Sequence, residues 1–242
     1  MRKPAAMQTC SRALLLTLLV AAGEPCAAAA REVMPVMHEV PPTRQALGMT
    51  VANRGAAAAT VQVRAFAWTH DLEGQELLAP APQVIVSPAI FNLESGRSQT
   101  VRALFVGAGA TGEAANYRLL IDEIPDAAAA AEPVRFALRL SVPVFRLAAT
   151  PTPAALSWRL DASQSKLVAV NAGSTRERIR NLALVSASDV RTQPSSPSGL
   201  YLLGGHSRQW AVDPTVLKPG EQWTLTGLTD AGPIEVRLVA SP

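Results

Sequence analysis

The sequence predicts an all-β fold of two sandwich domains, and three features carry the prediction. From Arg31 onward the chain reads as short alternating apolar segments between turn residues, with no sustained helical period. The stretch from Arg146 to Pro153, with Pro151 and Pro153, interrupts that pattern and divides the segments into two sets. The third feature is an internal echo. Thr50-Val51-Ala52-Asn53-Arg54-Gly55 returns as Val168-Ala169-Val170-Asn171-Ala172-Gly173, each ending a strand in Asn-x-Gly before another β-like segment. Because Asn and Gly are also the commonest turn residues, two unrelated strand ends would read the same way.

The N-terminus stands apart from this pattern. Arg2 and Lys3 precede an apolar core from Ala13 to Ala22, and small residues follow to Ala28-Ala29-Ala30, the layout of a secretory signal over residues 1–30. The core is shorter than the roughly 20 apolar residues of a membrane helix, and no later segment approaches that length. Both cysteines, Cys10 and Cys26, fall inside the expected signal, so the mature chain is expected to hold together by packing alone. Glu24-Pro25 before Cys26 fits a lipoprotein signal poorly. Removing Arg2, Lys3, Arg12 and Glu24 takes the formal charge from +3 to +1. A nearly neutral chain lacks the basic field that nucleic-acid binding requires.

In the first set the predicted strands are Val33 to His38, Gln45 to Asn53, Thr60 to Trp68, Gln83 to Val86, Ser98 to Val106, Asn116 to Ile124 and Val134 to Phe145. That many strands in about 115 residues suit an immunoglobulin-like β-sandwich, placed at residues 31–147. A second such sandwich over 148–242 takes strands around Trp158, Lys166 to Val170, Arg178 to Val185, Leu200 to Leu203, Gln222 to Leu225 and Ile234 to Val239. Ala127 to Ala131, between Pro125 and Pro133, falls well short of the roughly 12 residues a marginal helix needs and reads as a loop.

Catalytic and cofactor patterns are weak. Gly107-Ala108-Gly109-Ala110-Thr111-Gly112 fits a dinucleotide-binding spacing, with Glu132 as the acidic residue, but a β-like segment follows it where a helix is required. A strand-to-strand loop is the simpler reading. His38, His70 and His206 lie far apart and in no ligand spacing, and neither a nucleophile elbow nor a Walker loop occurs. No enzymatic activity, metal or cofactor is expected.

The most informative stretch runs from Asn116 to Phe145. In Val134, Phe136, Leu138, Leu140 and Val142 every second residue is large and apolar, a strand with one greasy face. Periodicity alone suits an ordinary strand of a closed sandwich. In Tyr117 to Ile124 the alternation sets Tyr117, Leu119 and Ile121 on one face and Arg118, Leu120 and Asp122 on the other.

Several motifs together resemble the periplasmic chaperones of the chaperone-usher pilus pathway. They are Val51-Ala52-Asn53-Arg54-Gly55, Ser87-Pro88, Phe91-Asn92-Leu93-Glu94-Ser95-Gly96, Gln99-Thr100-Val101-Arg102, Tyr117 to Pro125, and Leu200 to Gly205 with Trp210. Ala89 and Ser95 stand where prolines are common in that family. The resemblance implies donor-strand complementation: Val134, Phe136, Leu138, Leu140 and Val142 fill the groove of a pilus subunit, which is then passed to an outer-membrane usher without ATP.

The better-known branch grips the subunit's C-terminal carboxylate with an Arg on its first strand and a Lys on its last. Here those positions fall near Met37 and on Pro143. Val33-Met34-Pro35-Val36 and Tyr117-Arg118 resemble instead the archaic or spore-coat-type branch, which implies Arg118 as the carboxylate anchor, with Arg102 as a rival. Glu123, before Ile124-Pro125, falls where the family keeps a buried interdomain charge cluster, and Arg146 is its expected partner. The reading from another class is a fibre subunit or adhesin, for which Val33 to Val40 would be the alternating extension; two complete sandwiches argue against it.

Overall fold

A computed structural model of the chain describes residues 31–107, 113–125, 137–195 and 201–242. The expected signal, the glycine run beyond Gly107, the alanine run, and Val134 and Phe136 lie outside these residues. Strands β1 (Arg31–Met34), β2 (His38–Val40), β3 (Ala46–Asn53), β4 (Ala59–His70) and β5 (Glu76–Pro80) are followed by β6 (Val84–Ser87), β7 (Ile90–Leu93), β8 (Ser98–Phe105), β9 (Ala115–Ile124) and β10 (Arg139–Arg146). Two sheets result, β1-β3-β8-β6 and β2-β10-β9-β4-β5, with β7 also on β4. Their facing side chains form one core. Val51 and Val101 from the first sheet meet Leu119 and Ile121 from the second, and Phe105 lies against Tyr117 with ring centroids 5.6 Å apart. The inward face of β9 is the predicted one.

The predicted strand from Val33 to His38 is two strands in two sheets. β1 runs antiparallel to β3, whereas β2 crosses over and pairs in parallel with Val144, Phe145 and Arg146 at the end of β10. Pro35 lies between them, and a residue without an N–H suits the point where a strand leaves one ladder for another. β5 and β7 were not foreseen. β5 shows no alternation because it is an edge strand with most of its side chains in solvent.

The second unit comprises β11 (Leu156–Asp161), β12 (Lys166–Asn171), β13 (Glu177–Arg178), β14 (Arg180–Ser186), β15 (Arg191–Thr192), β16 (Tyr201–Leu202), β17 (Ser207–Ala211), β18 (Gln222–Thr229) and β19 (Gly232–Ser241). Seven of them form the sheet β15-β14-β18-β19-β11-β12-β17, and β13 pairs with β16. The sheet encloses a second core of Leu160, Leu167, Leu184, Trp223 and Leu225. Both units are immunoglobulin-like β-sandwiches.

The echo in the sequence is structural. Asn53 and Asn171 are both fully buried, and each folds its amide over the turn that follows it. Asn53 accepts from the Gly55 N–H at 2.9 Å and donates to Ala57 O at 2.8 Å and Leu93 O at 2.9 Å. Asn171 accepts from the Gly173 N–H at 3.1 Å and donates to Thr175 O at 2.8 Å. A buried amide is stable only when so satisfied. At Gly173 a Cβ would come within 1.9 Å of Pro153 O, so glycine alone fits beside the segment that joins the two sandwiches.

Where the sandwiches meet, Trp68, Phe145 and Leu203 form a small third core with Met37 and Tyr201 at its margin. The rings of Trp68, Phe145 and Tyr201 touch one another, with centroids 5.3 to 5.7 Å apart. Two backbone donors of the second unit reach the first: Leu203 N–H to His70 Nε2 at 3.2 Å, and Gln209 N–H to Leu72 O at 2.7 Å. Leu200 to Gly205, singled out as a motif, thus includes the segment that docks on the first sandwich.

Candidate functional site at an open strand edge

β10 pairs with β9 along its whole length, from Arg139 opposite Asp122 to Arg146 opposite Ala115. On its other side β2 covers only Val144 to Arg146. The outer edge of Arg139–Pro143 therefore has no strand neighbour among the described residues. Pro143 lies in this edge, where a missing N–H is tolerated.

Burial changes along the same strand. Val144 and Val142 are packed into the core of the first sandwich at 1% and 3% exposure, whereas Leu140 and Leu138 are only half-buried. Val142 therefore departs from the expected donor set. Its side chain is enclosed between the two sheets of its own sandwich and has no free surface to offer. Leu140 packs only partly against the same core, and the run continues upstream through half-buried Leu138. On the outward face Arg139 and Arg64 both donate to Asp122, the latter at 2.7 Å. Partial burial acts to raise the Asp122 carboxyl, but these two arginines outweigh it and hold it below the ordinary aspartate range. The three side chains tie β10, β9 and β4 together at the mouth of the edge.

Arg118 is on the outward face of β9, as expected, and at the wall of the cleft between the sandwiches. Its guanidinium lies 3.8 Å from the Trp68 ring centroid, and its Nη2 donates to Glu76 of β5. Its Nε is buried with no hydrogen-bond partner among the described residues. The second sandwich contributes a matching arrangement: Arg176 lies 4.1 Å from the Phe145 ring centroid and pairs with Glu39 at 2.9 Å. Arg176 also donates to Met37 Sδ at 3.3 Å, so the position near Met37 that lacks a cation of its own has one beside it. Arg102, the rival anchor, is exposed on β8 in the other sheet, opposite Gly48 and Ser87.

Glu123 and Arg146 do not pair. Antiparallel pairing puts Arg146 beside Ala115, eight positions along β9 from Glu123, which is roughly 26 Å of strand. Glu123 instead meets Arg31 at 3.2 Å. Arg146, itself buried, donates to Arg44 O at 3.1 Å and Pro42 O at 3.3 Å and lies 4.9 Å from the Phe105 ring centroid. The interdomain contacts come from residues the sequence did not mark for that role, chiefly Trp68, Phe145, Tyr201 and Arg176. None of these carries a local pattern. Each becomes visible only when the ends of β4 and β10 and the segment before β13 are brought together at the joint.

Comparison with known proteins supplies the family. Residues 36–149 match the model for the pili and flagellar-assembly chaperone, PapD N-terminal domain. A sequence search of curated proteins finds no match. Among solved structures, a chain of the CsuC–CsuE chaperone–tip adhesion subunit complex from archaic Csu pili of Acinetobacter baumannii aligns with TM-score 0.63 and 21% identity, covering 88% of this chain and all of that one. The E. coli chaperone DraB aligns with TM-score 0.60 and 16% identity over 87% of this chain and 97% of its own. A chain of the Salmonella enterica SafA pilin–SafB chaperone complex aligns with TM-score 0.57 and 14% identity over 86% and 96%. At these identities the structural likeness establishes the fold. Residues 36–149 thus belong to the pili and flagellar-assembly chaperone family as its PapD N-terminal domain, set in a two-sandwich fold that the chain shares with these structures.

Proposed function

We propose that this chaperone captures strand-deficient pilus subunits by donor-strand complementation and passes them to an outer-membrane usher. A sandwich that lacks its last strand exposes an apolar groove and two rows of unpaired backbone groups, which aggregate unless filled. Strand addition satisfies both needs: the open edge of β10 supplies N–H and C=O groups, and alternate side chains enter the groove. Val134, Phe136, Leu138 and Leu140 are the inserting residues, each contributing roughly 1.5 to 3 kcal/mol before association costs are subtracted. Val142 and Val144 root the strand in the chaperone's own core, so that one end is fixed while the other is offered. Arg118 receives the subunit's terminal carboxylate.

The same reading assigns residues 1–30 to a signal that exports the chain to the periplasm, 31–147 to the subunit-binding sandwich and 148–242 to the second sandwich. It places the protein in the archaic branch, which the Tyr117-Arg118 motif and the Csu likeness support. The observation that carries the proposal is the uncovered edge of Arg139–Pro143 beside half-buried Leu140 and Leu138. Co-expression with a pilus subunit missing its last strand tests it. The subunit should be recovered from the periplasm as a one-to-one complex and be lost without the chaperone. Recovery of this chain in assembled fibres, or equal subunit yield in its absence, would overturn the proposal.

A further inference from the structure

The cleft cation is already occupied. Arg118 is a buried guanidinium stacked on Trp68, and one of its terminal nitrogens is held by a carboxylate from the same chain, that of Glu76. The two partners differ in burial. The Arg118 side chain is 10% exposed, whereas that of Glu76 is 33% exposed and belongs to edge strand β5, whose other side chains face solvent. Glu76 can therefore turn outward into water and be rehydrated without disturbing a core, while Arg118 is fixed by the indole beneath it and by its place in the centre of the sheet.

The guanidinium is also incompletely used. A carboxylate that meets an arginine squarely takes two parallel N–H groups, and Glu76 is bonded through Nη2 while Nε remains buried without an acceptor. A buried charged donor left without an acceptor is costly, so the site favours a better-placed carboxylate over the one it holds. Pro143 lies directly opposite Arg118 on β10, which puts the cation beside the open edge.

We infer that Glu76 is an internal stand-in for the chain-terminal carboxylate of a captured strand, displaced from Arg118 when that carboxylate arrives. This rests on the capture proposed above. The internal carboxylate lowers the affinity for chain ends by the fraction of time it occupies Arg118, and it keeps the cation satisfied while the chaperone is empty. It also makes the cleft selective: a strand without a free terminal carboxylate cannot dislodge Glu76 and gains nothing from Arg118.

The test uses the full mature chain, wild type and Glu76→Gln, with two readouts. In the first, the Arg118 Nε–H resonance, assigned through Arg118→Lys, is followed during titration with acetate. Glu76→Gln should respond at an acetate concentration about three- to tenfold lower than wild type. In the second, a synthetic peptide of alternating valine and threonine is supplied with a free C-terminal carboxylate or as the amide. Glu76→Gln should bind the carboxylate form tighter by a similar factor and the amide form unchanged. Equal acetate responses in the two proteins, or equal tightening for amide and carboxylate, would overturn the inference. Acetate responses as expected with neither peptide bound would instead overturn strand capture and leave the role of Glu76 standing.

Discussion

The last strands of the two sandwiches occupy equivalent places and are built to different ends. β10 and β19 both run antiparallel to the strand before them and touch an early strand of their sandwich in a short parallel contact, β2 in one case and β11 in the other. Their connections differ. β19 leaves β18 through a tight hairpin that pairs Thr229 with Gly232, so its register is fixed from its first residue and Ile234, Val236 and Leu238 all pack partly buried against the second core. β10 is separated from Ile124 of β9 by the 14 residues from Pro125 to Leu138, and its apolar period begins within that separation. A tight hairpin commits a strand to its own sheet, whereas a long connection leaves part of the period uncommitted. For the capture proposed above, the difference teaches that the length of the connection matters as much as the strand.

The sharpest way to break this comparison is to put the same charge on both strands. Leu138→Asp should abolish subunit capture, because an unpaired carboxylate buried in the subunit groove costs several kcal/mol, with the melting temperature of the free chaperone little changed. Val239→Asp, at a position that is 59% exposed on β19, should leave capture intact. Co-purified subunit measures both, and equal losses would remove the distinction.

A second test addresses what the sandwiches share. Asn53→Ala and Asn171→Ala each strand several buried backbone groups, and each should lower stability by about 2 to 4 kcal/mol in denaturant titration. A loss confined to one of them would mean that the two corners are alike in geometry only.

The joint between the sandwiches gives a smaller, pH-dependent effect. His70 accepts the Leu203 N–H on Nε2 and lies 2.8 Å from Asp71 O through Nδ1, an arrangement that needs the neutral ring with its proton on Nδ1. Burial lowers its pKa below the ordinary 6.5, and the neighbouring His206 and Arg208 add to this, while the Asp71 contacts oppose it. The folded state therefore resists a proton that the unfolded chain accepts. Stability is full above pH 6.5 and is lost as pH falls below it. Calorimetry at pH 7.5 and about 5.5 should show this loss in wild type and a flatter profile in His70→Gln; identical profiles would exclude His70 as the source. The smallest effect is expected for Arg139→Ala, whose exposed pair with Asp122 contributes no more than about 0.5 kcal/mol to folding.

Much of the first sandwich is legible in its sequence because β3 and β8 bury one face and expose most of the other, and because β9, buried on both faces from Tyr117 to Ile121, still alternates residues that pack in the core with residues that do not. The face on which Arg118 stands was readable for the same reason. Other features were not. Alternation in Val33 to His38 cannot say that the chain changes sheets at Pro35, nor can the alternation of β10 say that Val142 is fully buried in its own sandwich while Leu140 is only partly buried there. Glu123 and Arg146 belong to neighbouring motifs, but antiparallel pairing sends them to opposite ends of the hairpin. Glu76 sits in a strand with no buried face and so leaves no trace in the pattern.

The clamp of Asp122 by Arg64 and Arg139 gives the open edge a reading frame. A slip of one residue between β10 and β9 would turn Leu138 and Leu140 away from the groove and present Arg139 and Ser141 in their place. With Val142 and Val144 buried and the ladder continuous from Arg139 to Arg146, the parity of the strand is set by its own sandwich, and the cations from β4 and β10 on one carboxylate of β9 mark it at the open end. Subunits must then be told apart by how their grooves accommodate a fixed sequence of side-chain sizes.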